Sequence, residues 1–175
     1  KVSSFNKYII VIISVLFLYL FYLLIPTLYD KNWVQSVLEK KLMNEFNINL
    51  SLSSDISYEI LPSPHFTIKN GKIIDQNESM LSEIAEIEEL KVFISNKRFF
   101  NKDKLKINSI SIHKANFFIK KNYKNTYKKV IFNNIFNKKI SIKKSNFFVR
   151  NKKNEIISII KIPDGEIIND KSNIY

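Results

Sequence analysis

ISIHKANFFIKK, residues 110–121, returns almost unchanged as ISIKKSNFFVRN at residues 140–151. Ile-Ser-Ile, the second lysine and Asn-Phe-Phe are common to both. Ile110 and Ile112 alternate with polar neighbours, and so do Ile140 and Ile142. That two-residue period belongs to a strand with one buried face. A block recurring at this interval is one supersecondary unit added to the next. Each block reads as a pair of strands with a kink at Lys114-Ala115-Asn116 or Lys144-Ser145-Asn146. Neighbouring residues of a strand point to opposite faces. One phenylalanine of each Phe-Phe pair therefore enters the apolar side, and Phe117 and Phe147 are the candidates.

The same alternation extends upstream. Ile48, Leu50 and Leu52 form one apolar set, and Ile56, Tyr58 and Ile60 form another. Leu61-Pro62-Ser63-Pro64 interrupts, because proline cannot serve a central ladder. A strand resumes over residues 65–69, and Asn70-Gly71 signals a tight turn or a bulge. Residues 75–82 are polar and could hold a turn of helix. Leu90, Val92 and Ile94 alternate again. Further strands are expected at 155–162 and, more weakly, at 166–168.

Ahead of the strands the period is helical. Asp30 is placed as an N-cap, and Trp33, Val34, Val37, Leu38, Leu42, Met43 and Phe46 recur at helical spacing to about Asn47. This amphipathic helix needs a surface, and the sheet that follows is favoured over the lipid. Before it lies YIIVIISVLFLYLFYLLI, residues 8–25, with no charge and with Ser14 as its one small polar residue. At about 1.5 Å per residue it is roughly 27 Å long, close to the hydrocarbon thickness of a bilayer. It has no polar face to show to water, so it reads as a transmembrane helix. Pro26-Thr27-Leu28-Tyr29-Asp30 has no small-x-small cleavage pattern, which favours an uncleaved anchor over a signal peptide. Residues 1–7 are then a short cytoplasmic tail and residues 30–175 a domain on the other side. The last residues read as an unfinished strand, so a longer protein is expected.

The chain of 175 residues contains no cysteine, which excludes disulfide and thiolate chemistry. Its formal charge of +12 reflects heavy use of lysine. Bases dominate from Lys97 onward, while Glu83, Glu86, Glu88 and Glu89 cluster before it. A basic half beside a membrane could attract anionic headgroups. Nucleic acid is not expected as a partner outside the cytoplasm.

Catalytic constellations are missing from the sequence. His65 and His113 stand alone, with no second ligand at metal-binding spacing. Two glycines, Gly71 and Gly165, are too few for a phosphate loop. No serine lies in a nucleophile elbow. The run from Glu83 to Glu89 reads as a solvated edge rather than a paired-carboxylate site. Asn49-Leu50-Ser51 and Asn77-Glu78-Ser79 match glycosylation sequons, a pattern common by chance. No enzyme activity, cofactor, metal or small-molecule substrate is expected.

The order of elements resembles the N-terminal region of the AsmA family. There a membrane helix precedes an amphipathic helix, a strand, a Pro-Ser-Pro-type turn and a strand of the form l-x-n-g. An acidic and apolar element follows, then a segment of the form i-x-s-i-x-i. Leu61-Pro62-Ser63-Pro64-His65-Phe66-Thr67-Ile68-Lys69-Asn70-Gly71 is the closest match, and Ile107-Asn108-Ser109-Ile110-Ser111-Ile112 continues it. The resemblance covers residues 8–120. It implies a mainly β protein with an elongated, curved, mostly antiparallel sheet of repeated strand units. It also implies a bacterial inner membrane anchor, a periplasmic body and handling of phospholipids in support of outer-membrane assembly. On that reading Ile48, Leu50, Leu52, Ile56, Ile110, Ile112, Phe117, Ile140, Ile142 and Phe147 line a lipid groove. The alternative is a closed scaffold that meets other envelope proteins.

Overall fold

A computed structural model describes residues 4–46, 49–51, 55–75, 82–98, 105–120, 139–151 and 153–167. Helix α1, Ser4–Leu24, leads into a 3-10 turn at Ile25–Leu28 that Pro26 helps to start. Phe5–Leu28 holds an 18-residue window of mean hydropathy 2.8, 6% of it buried, and is long and apolar enough to cross a membrane. Helix α2, Lys31–Phe46, begins where Asp30 caps it: the Trp33 N–H donates to Asp30 Oδ1 at 2.8 Å. This satisfies one of the free donors of the first turn. Val34, Leu38, Leu42 and Phe46 are buried, four residues apart along one face, while Met43 stays exposed.

That face belongs to one apolar core with the inner side of a seven-stranded sheet. The strands are β1 (Leu50–Ser51), β2 (Ile56–Glu59), β3 (His65–Asp75), β4 (Ser82–Ile94), β5 (Ile107–Lys120), β6 (Lys139–Arg150) and β7 (Ile156–Ile167). β1 and β2 both run antiparallel to β3, one beyond the other. The order then continues β3-β4-β5-β6-β7. Every pairing is antiparallel except β5 with β6, which is parallel. The sheet is open and mostly antiparallel, as the alternation and the family resemblance imply.

The repeat takes a different form from the expected pair of strands. Each block is one long strand, and the two blocks lie side by side in register, Ile110 on Ile140 and Phe117 on Phe147. The kink is present at Lys114 and Lys144, with φ of 54° and 48°. Asn70 shares this left-handed backbone at φ 56°, and β3 runs straight through Asn70-Gly71 instead of turning there. Residues 156–167 are likewise one strand, not two.

These positions line up. Asn70 faces Glu88, Glu88 faces Lys114, and Lys144 lies between Lys114 and Pro163, yet none of these pairs takes part in the ladders on either side. A seam therefore crosses the sheet, and each strand changes phase on it. Ile68, Leu90, Ile112 and Ile142 point inward on one side; Gly71, Ile87, Ala115 and Ser145 do so on the other. The inner face stays apolar because every strand slips by one residue at the same level. Pro163 is tolerated there because the missing ladder asks for no N–H.

Candidate functional site

Register assigns the inner face to transverse rows. Tyr58, Phe66, Val92, Ile110 and Ile140 form one, and Ile56, Ile68, Leu90, Ile112 and Ile142 the next. Beyond the seam run Ile73, Ala85, Phe117, Phe147 and Ile160. The outer face is polar over most of its area, with Lys69, Glu89, His113, Lys143 and Asp164 in one row.

The apolar rows are covered at one end and open at the other. Of the sequence-derived candidates, Leu50, Ile56, Ile110, Ile112, Phe117, Ile140 and Ile142 are buried in the core shared with α2. Phe147 is half-buried against that core. Ile48 and Leu52 lie outside the described residues, as do most of residues 75–82. Phe117 and Phe147 stack with ring centroids 4.5 Å apart. Next along the row, Ile160 is 54% exposed. The inner face thus passes from packed core to open apolar surface at β7, the edge strand.

Sequence reasoning missed this opening. Ile156, Ile157, Ile159 and Ile160 are all exposed, so β7 is apolar on both faces. The run Ile156-Ile157-Ser158-Ile159-Ile160 fails to alternate, and that failure was the available signal. On the outer face Ile159 pairs with Phe148, which stacks on Phe118 at 5.7 Å, and Arg150 caps the Phe118 ring at 4.2 Å.

Polar chemistry is paired and structural. A hollow of about 280 Å³ at the seam is lined by Asn70, Lys72, Glu86, Glu88, Lys114 and Asn116, among others. Lys114 Nζ donates to Glu88 Oε1 at 2.6 Å, and that hydrogen bond raises the lysine pKa. Lys72 and Glu86 approach to 3.9 Å. His65 is buried, its Nδ1 lies 2.7 Å from the Ser63 carbonyl and its Nε2 is 3.5 Å from Glu59. Among the described residues no cluster of three or more His, Cys, Asp or Glu side chains could hold a metal.

Helix α1 is locked onto the sheet. Tyr58 Oη donates to the Leu23 carbonyl at 2.8 Å, and the Tyr22 hydroxyl bonds the Asn96 carbonyl. Burial, with Tyr29 adding to it, pushes the Tyr58 pKa up to about 12. Tyr29 is raised in the same direction by burial and then by Tyr22.

The family model described as AsmA family matches residues 3–157. No curated protein matches the chain.

Proposed function

The chain belongs to the AsmA family, and on that premise we propose that it is a non-enzymatic, inner-membrane-anchored periplasmic protein. Its sheet would form the membrane-proximal part of a phospholipid-handling bridge that supports outer-membrane assembly. The observation carrying this reading is the row Phe117, Phe147, Ile160, which continues the core as an apolar strip out to an exposed edge. Burying apolar area is worth about 25 cal/mol per Å². Acyl chains laid along such a strip would be solvated by it without any polar partner.

The second reading is a structural scaffold. It is favoured by α2, whose four buried side chains close the face over the remaining rows.

Mass spectrometry of lipid co-purified with the detergent-extracted chain separates the two. Ile160→Glu charges the inner strip, and Ile159→Glu charges the outer face of the same strand as a control. Both sites are about half exposed, so neither change should unfold the sheet. Phospholipid lost several-fold in Ile160→Glu alone supports the bridge. Equal lipid in all three proteins leaves the anchor as the lipid contact and favours the scaffold.

A further inference from the structure

Helix α1 ends inside the folded domain. Leu23 is buried, and both hydrogen bonds that lock the helix engage its last turn. The apolar surface left for lipid runs from Tyr8 to Phe21, roughly 21 Å at about 1.5 Å per residue. A bilayer core is about 30 Å thick. A short span is accommodated by drawing its flanking groups toward the hydrocarbon. The groups that flank Tyr22 and Leu23 here are one end of the sheet.

That end carries the loop between β2 and β3, residues 60–64. Both anchor points bracket it. Tyr58 enters it from β2, and the Ile94 N–H donates to the Pro64 carbonyl at 3.0 Å just before Asn96. At its tip Leu61 is 79% exposed. Beside α1, Leu28 is 83% exposed. Lys97 and Lys106 are exposed at the same end, where the Ser95 N–H donates to the Lys106 carbonyl at 2.9 Å. An apolar tip flanked by cations matches the boundary between acyl chains and anionic headgroups.

We propose that this loop is a second membrane contact: Leu61 enters the bilayer interface beside α1, with Lys97 and Lys106 facing anionic phospholipid headgroups. The domain is then held on the surface at two points instead of swinging on one helix. The proposal rests on α1 spanning the membrane.

The chain has no cysteine, so single cysteines can carry a unique fluorescent label. Leu16→Cys, Leu61→Cys and Lys153→Cys are placed one at a time in the full chain, in nanodiscs of phosphatidylcholine and phosphatidylglycerol. Brominated acyl chains serve as quencher. Lys153 is exposed in the polar turn between β6 and β7, at the opposite end of the sheet and off the apolar strip. Labels at Leu16 and Leu61 should be quenched several-fold more than the label at Lys153. A Leu61 label quenched no more than Lys153, with Leu16 quenched, overturns the second contact and leaves the anchor standing. An unquenched Leu16 label overturns the anchor itself, and the proposal with it.

Discussion

Asn146 Nδ2 donates to Asn116 Oδ1 at 3.0 Å, joining the same position of the two sequence repeats across the parallel β5–β6 pair. Parallel pairing in register puts like beside like, so beyond the asparagines Phe117 meets Phe147 on one face of the sheet and Phe118 meets Phe148 on the other. The repeat in the sequence is thus a contact in the structure. Asn116, Phe117 and Phe118 each have their counterpart to bond or stack on.

Breaking that bond should show coupling. A typical intramolecular hydrogen bond contributes about 1 kcal/mol net. Asn116→Ala and Asn146→Ala should each destabilise by about that amount. The double variant should cost less than their sum, with a coupling of about 0.5–1 kcal/mol. Urea unfolding of the four proteins checks this, and strict additivity would show that the amides do not act on each other.

Ser145 is buried and stands where the first repeat has Ala115. Its Oγ accepts from the Ala115 N–H at 3.0 Å and donates to the Lys143 carbonyl at 2.9 Å. The ladder skips the pair Ala115 and Ser145 at the seam, so the hydroxyl replaces the missing strand partner. Ser145→Ala should cost about 1–3 kcal/mol by leaving a buried N–H unsatisfied. A loss within about 0.5 kcal/mol of zero, as for an ordinary surface change, would mean that Ala115 finds another acceptor.

Much of this was legible in the sequence. Period-two runs marked the strands, Asp30 marked the start of α2, and the uncharged run marked α1. The seam was only half legible. Lys-Ala-Asn and Lys-Ser-Asn pointed to a kink, but nothing local says that Asn70, Lys114 and Lys144 share one level across strands far apart in the chain. For the same reason the parallel pairing of β5 and β6 was hidden: register is a property of two segments at once. Asn70-Gly71 signalled a tight turn or a bulge; in the strand it is Asn70 that takes the left-handed backbone, a conformation its short polar side chain tolerates. The isoleucines of β7 were read as a strand, with no sign that they stay exposed.

The seam gives a prediction about backbone strain. A non-glycine residue at left-handed φ costs of order 1 kcal/mol or more, and a β-branched residue fits worse still. Lys144 has φ 48° and an exposed side chain. Lys144→Gly should therefore stabilise the protein by about 0.5–1 kcal/mol, and Lys144→Val should destabilise it by about 1–2 kcal/mol. Chemical denaturation of both variants reads the sign. Equal stability of the glycine and valine forms would mean that the strand relaxes out of the left-handed region.

Tyr58 ties the sheet to helix α1, and its protonation should report that tie. Its hydroxyl donates to the Leu23 carbonyl, and burial pushes its pKa up to about 12. An unfolded tyrosine titrates near 10. Between these values the folded chain keeps a proton that the unfolded chain has lost, so stability is complete below about pH 10 and falls as pH rises toward about 12. Tyr58 keeps some contact with solvent, so screening reduces the loss to on the order of 1 kcal/mol. Tyr58→Phe removes both the hydrogen bond and the titration. It should cost about 1 kcal/mol at pH 7, and its stability curve should converge on that of the wild type across the alkaline window. Thermal melts in nanodiscs from pH 7 to pH 12 test this. Tyr29, raised for the same reason, contributes to both curves and so cannot produce the convergence. Parallel curves would mean that the Tyr58 hydroxyl is open to water, and that the last turn of α1 is not held against the sheet by it.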